Sequence, residues 1–107
     1  VAWNLALNAG KPVKRETLEQ MWTPFKLNDG TTANYGLGWG VAKYRGKAWV
    51  GHSGSLAGFR SDMMIFREDK LAVVVLTNLA SANPQGISIR VADVFIDFPE
   101  PAATAPG

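Results

Sequence analysis

A chain of 107 residues that is 47% hydrophobic fits one small globular unit, with apolar surface enough for a core and little margin. Its formal charge of +2 comes from Lys and Arg scattered among Asp and Glu, not gathered in runs, which argues against nucleic acid as a partner. Without cysteine there are no disulfides or thiolate metal sites, and the longest apolar run, residues 71–76, is far below the roughly 20 residues that span a bilayer; neither a membrane segment nor a signal peptide is expected.

In chain order, residues 1–9 place Trp3 and Leu7 one helical turn apart and close on Gly10, but no N-cap residue precedes them. That pattern fits the last turns of a longer helix. Residues 14–22 form a second short helix with Leu18, Met21 and Trp22 at i, i+3 and i+4, ended by Thr23-Pro24 because the residue before proline avoids the helical region. Asn28-Asp29-Gly30 marks a loop or tight turn within residues 26–34.

From Tyr35 the period changes to two: Tyr35, Leu37, Trp39 and Val41 alternate with Gly36, Gly38 and Gly40, predicting a strand over 35–41 with one aromatic and one bare face. A helix packed unusually close explains three glycines on one face. Arg45-Gly46 predicts a two-residue hairpin between 41–44 and 47–50. The second arm runs into Trp49-Val50-Gly51-His52-Ser53-Gly54-Ser55-Leu56-Ala57-Gly58-Phe59, where an apolar strand gives way to small and polar residues around the chain's single histidine. Bare backbone there lets a ligand reach N–H and C=O groups.

Strands over 59–66 and 71–78 flank Arg67-Glu68-Asp69-Lys70, a hairpin tip that must stay in water. Residues 71–76 are apolar on both faces and need cover on each. A helix over 84–98, capped by Asn83 and started by Pro84, offers the stripe Ile87, Val91, Val94, Phe95 and Phe98 opposite Arg90, Asp93 and Asp97, and covers one face. The short N-terminal helices cover little of the other, so layers required by the sheet are expected from elsewhere. The expected architecture is α+β: an antiparallel sheet of four or five strands with the C-terminal helix across one face. Trp39, Trp49 and Phe59 are expected in the core, and Arg60 and Asp62 on a solvated strand face. Residues 99–107, rich in Pro and Ala, read as a disordered tail or linker.

Gly51-His52-Ser53-Gly54-Ser55 differs by one residue from the Gly-x-Ser-x-Gly elbow of α/β-hydrolases, but a strand follows instead of a helix and no second histidine exists to serve as base. A different family fits the order of the motifs. Tyr35-Gly36-Leu37-Gly38-Trp39, then Gly51-His52-Ser53-Gly54 with Gly58-Phe59 behind it, then Leu76-Thr77-Asn78 and a closing helix, resemble the C-terminal portion of serine β-lactamase-like proteins, the class C β-lactamases, penicillin-binding D-alanyl-D-alanine carboxypeptidases and related esterases. Residues 18–24 resemble the segment before the glycine-rich strand of that family. Residues 1–98 would then be the C-terminal part of such a domain.

The resemblance implies acyl transfer through a serine ester, with His52-Ser53-Gly54 matching the His variant of the family's Lys-Thr/Ser-Gly motif. By the same likeness His52 tunes the electrostatics of the site, Ser53 binds a polar or carboxylate group of the substrate, Gly54 leaves room for it, and Ser55 offers its backbone N–H to the oxyanion. The implied substrate is a β-lactam, a D-amino peptide or an ester, the implied compartment periplasmic or extracellular, and no cofactor or metal is called for. The chain lacks the family's Ser-x-x-Lys and Tyr-x-Asn motifs. It therefore reads as a fragment carrying one wall of an active site, inactive alone and partnered by a missing N-terminal half or a second copy. The alternative is a non-catalytic binding or interaction module that keeps the sheet.

Overall fold

The computed structural model describes residues 1–100, so most of the expected tail lies outside the described residues. Two short helices, α1 (Ala2–Asn8) and α2 (Arg15–Met21), precede strands β1 (Gly40–Tyr44), β2 (Lys47–Leu56), β3 (Phe59–Phe66) and β4 (Leu71–Thr77), and helix α3 (Pro84–Phe95) closes the order. The strands form one antiparallel sheet in the order β1-β2-β3-β4, the α+β arrangement expected from the sequence. Arg45 and Gly46 both take positive φ, 45° and 82°, as the two-residue turn joining β1 to β2 requires.

Alternation along the strands gives each face its own core. Val50 and Ile65 meet Leu7, Leu18, Trp22 and Trp39 on the face covered by α1 and α2, and Met64 and Phe66 meet Ala92 and Ile96 of the C-terminal region on the other. Phe66 and Met64 are fully buried. The Arg67 guanidinium, at the β3–β4 turn, stacks 4.4 Å above the Trp22 ring and pairs with Glu19, tying α2 to the far end of the sheet. In the loop before β1 the hydroxyl of Thr31, and then its backbone N–H, hold the exposed Asp29 carboxyl below its usual range.

The structure departs from the sequence expectations in four places. Residues 35–39 form a tight turn instead of a strand: Gly38 has φ 77°, the Gly36 N–H donates to the Trp39 carbonyl, and the Leu37 N–H donates to the carbonyl of Met21 at the end of α2. The close approach inferred from the glycines survives at one position, since a Cβ on Gly36 would collide with that same Met21 carbonyl. The side of α3 that meets the sheet carries Ser88 and Ala92, with Ile96 buried just past its end, whereas Val94 and Phe95 of the expected stripe are 79% and 71% exposed. Small residues let the helix sit close, and Phe98, past its end, folds back onto Tyr44 and Phe66 with ring centroids 5.0 and 5.5 Å away.

The other two concern single side chains. Asp62 is buried, not solvated: the Ser88 hydroxyl donates to its Oδ2 at 2.6 Å. Phe59, expected in the core, is 59% exposed. On the face covered by α1 and α2 it stands with Leu56, Val74 and Leu76, 76%, 38% and 80% exposed, beyond the reach of either helix.

Candidate active site

β2 is ten residues long, but β1 pairs with only its first half, the register ending at Gly40 opposite Gly51. β3 follows β2 all the way to the Leu56–Phe59 pair. Residues 52–56 therefore have a partner on one side and an open edge on the other among the described residues, which leaves backbone N–H and C=O groups free to pair with an extended ligand. Gly51 sits where the edge opens, and a Cβ there would collide with the Met63 carbonyl of β3.

The turn over 35–39 ends in an isolated bridge between Tyr35 and Gly40, which brings the Tyr35 ring over this edge. Its hydroxyl lies 2.7 Å from His52 Nε2, with the rings edge-on at 5.8 Å between centroids. His52 Nδ1 lies 2.6 Å from the Ser53 carbonyl oxygen. A carbonyl only accepts, so in the neutral imidazole Nδ1 carries the proton and Nε2 accepts the Tyr35 O–H. Two hydrogen bonds thus fix both the ring and its tautomer. Tyr35→Phe removes the donor to Nε2, and the Nε2–H form is expected to become populated; long-range proton–nitrogen correlation of the single histidine reads this directly, and an unchanged tautomer would mean that the Ser53 carbonyl alone sets it.

Of the four residues singled out in the sequence, His52 and Gly54 project to the α1/α2 face and Ser53 and Ser55 to the α3 face. His52 and Ser53 nonetheless both border one hollow of about 180 Å³ at the strand edge, together with Tyr35, Trp49, Asp62 and Gln85. Ser55 lies farther along, opposite Arg60, in a second open region with Leu56, Phe59 and Leu76. A Cβ on Gly54 would meet the Ser61 hydroxyl. Sequence reasoning missed Tyr35, which it had placed on a strand, and the buried pair Asp62–Ser88, for which no local pattern exists. The Asn83 side chain is the cap of α3, accepting from the Gly86 N–H at 3.0 Å.

The sheet carries helices on both faces and leaves a His-Ser-Gly strand end open at its edge among the described residues. A family model described as Beta-lactamase matches residues 1–96, and the chain belongs to that family. It is 29% identical over 82 residues to a D-aminopeptidase of Gluconobacter oxydans (strain 621H), a stretch that is 77% of this chain and 16% of that protein. The chain thus spans about one sixth of the length of that curated relative. No solved structure matches the chain.

Proposed function

We propose that this chain supplies the strand-edge wall of an acyl-transfer site in a serine hydrolase of the β-lactamase, D-alanyl-D-alanine carboxypeptidase or esterase type, with the nucleophilic serine and its lysine coming from a segment outside these residues. The observation that carries it is the open edge of β2 beyond Gly51, on which two hydrogen bonds hold the only imidazole. In this reading residues 1–98 are the C-terminal part of the domain. His52 orients and passes a proton at Nε2, Ser53 and Gly54 receive the substrate's polar flank, and the Ser55 N–H faces the developing oxyanion, where one such donor is worth about 10²–10³ in rate. The relative's name puts a D-amino peptide among the substrates considered.

A fluorophosphonate probe tests this. The chain alone is expected to stay unlabelled, and a longer protein that includes it and a Ser-x-x-Lys segment to be labelled on that serine, with His52→Ala slowing acylation about 10²-fold or more. Labelling of Ser53 or Ser55 in the chain alone would overturn the reading. A longer protein that carries no such segment and stays unlabelled would favour the non-catalytic module, a reading that the missing Ser-x-x-Lys motif keeps in play.

The exposed group Leu56, Phe59, Val74 and Leu76 bears on partners, because a soluble monomer rarely leaves a contiguous apolar patch of this kind uncovered. In the same proposal that face receives the missing half or, in its absence, a second copy of the chain. Sedimentation at micromolar concentration is expected to show a dimer or larger species, whereas a clean monomer that binds no apolar dye contradicts it.

A further inference from the structure

The hollow beside Ser53 carries a charge that the resemblance gave no reason to expect. Ser53 and Asp62 are directly opposed in the β2–β3 register, so their side chains share the α3 face, and both border the hollow with Trp49 and Gln85. Asp62 is 3% exposed, and its Oδ2 is taken by the Ser88 hydroxyl. Its Oδ1 makes no side-chain hydrogen bond among the described residues and is not sealed from solvent, and the carboxylate forms no ion pair there. An unpaired carboxylate oxygen open to the hollow is free to accept a hydrogen bond from a donor placed there.

The charges nearby do not cancel it. Arg60, two residues before it on the same strand face, turns away to donate to the Phe59 carbonyl. The start of α3 contributes roughly half a positive charge, already engaged in part by its Asn83 cap, so the hollow remains negative. Neither Lys nor Arg borders it, and Trp49 presents an indole, a surface that attracts cations.

We infer that the hollow formed by Asp62, Ser53 and Trp49 binds a small primary ammonium group and rejects a carboxylate. Asp62 Oδ1 accepts from the ammonium, the Ser53 hydroxyl accepts a second N–H, and the Trp49 ring lies against the cation. A carboxylate at the same place would face a buried like charge, so the polar-or-carboxylate role that the resemblance gave Ser53 narrows to a donor-bearing group. Taken with the proposed acyl-transfer site, on which this last assignment rests, the ammonium is the free amino group of the acyl substrate, placed at the strand edge beside His52. Binding itself needs no nucleophile, so it is measurable when turnover is absent.

The test uses the 107-residue chain and D-alaninamide, with N-acetyl-D-alaninamide as the neutral control and N-acetyl-D-alanine as the anionic one. D-Alaninamide is expected to shift the Trp49 indole N–H and the His52 ring resonances saturably, with Kd on the order of 1–10 mM, as befits so few buried atoms. The two acetylated compounds are expected to bind at least about tenfold more weakly. Asp62→Asn keeps an acceptor for Ser88 and the shape of the site; it should weaken D-alaninamide by a similar factor, while Ser53→Ala gives a smaller loss. Equal or tighter binding of either control, or an unchanged Kd in Asp62→Asn, overturns the inference. Failed fluorophosphonate labelling of a longer protein that includes a Ser-x-x-Lys segment, with ammonium binding intact, would instead overturn the acyl-transfer reading and leave this site standing.

Discussion

Replacing Phe66 with alanine is expected to lower the unfolding free energy by about 3–5 kcal/mol, the range for deleting a buried aromatic ring and leaving its cavity. Phe66 is fully buried, packs with Met64, Ala92 and Ile96, and holds the Phe98 ring edge-on at 5.5 Å. Collapse around the cavity is hindered because the residues that would have to move belong to a strand paired on both sides and to a helix seated on it. A domain of this size has roughly 5–15 kcal/mol in hand, so the variant should sit near its unfolding midpoint in mild urea. Tryptophan fluorescence during urea unfolding measures this, and a loss below about 1 kcal/mol would mean that the core on the α3 face is loosely packed around the ring.

Gly51→Ala is expected to be the most damaging small substitution near the site, by about 1–3 kcal/mol, while Gly54→Ala three residues later stays within about 0.5 kcal/mol. What the added methyl meets makes the difference. At Gly51 it strikes the Met63 carbonyl, backbone of the neighbouring strand that cannot swing aside without breaking the β2–β3 ladder. At Gly54 it meets the Ser61 hydroxyl, which can rotate to another rotamer. Because Gly51 marks the point where β1 stops, the displacement should also reach His52, visible as lost or shifted imidazole resonances. Equal tolerance at the two positions would contradict the close approach of β3 to β2 at Gly51.

The sheet was legible in the sequence because its signals are local. Arg45-Gly46, the charged tip Arg67-Glu68-Asp69-Lys70 and the alternation over 59–66 each depend on neighbours in the chain, and the strands form where those patterns place them. The glycine-rich stretch over 35–39 was misread because alternating glycine has the same period in a strand as in this turn; only the Met21 carbonyl that takes the Leu37 N–H distinguishes them, and it comes from a helix far back in the chain. The orientation of α3 failed for a related reason. Counting apolar residues puts Val94 and Phe95 inward, but the face against the sheet is fixed by the Ser88–Asp62 hydrogen bond and by the small side chain of Ala92. At the site, the glycines and the single histidine drew attention to residues 51–55, yet the Tyr35 hydroxyl on His52 joins positions 17 apart that no spacing rule connects.

β4 ends the sheet with no strand on its outer side among the described residues, and its sequence Leu-Ala-Val-Val-Val-Leu-Thr holds neither a charge nor a proline. An edge of that composition is a template for fibril growth, each arriving strand reproducing the same unpaired ladder for the next. Lys70 at one end and Asn78 at the other are the polar gatekeepers that interrupt such a segment. Loss of the isolated chain from solution is therefore expected to begin at these seven marginal residues and to steepen with concentration even where the fold is fully formed.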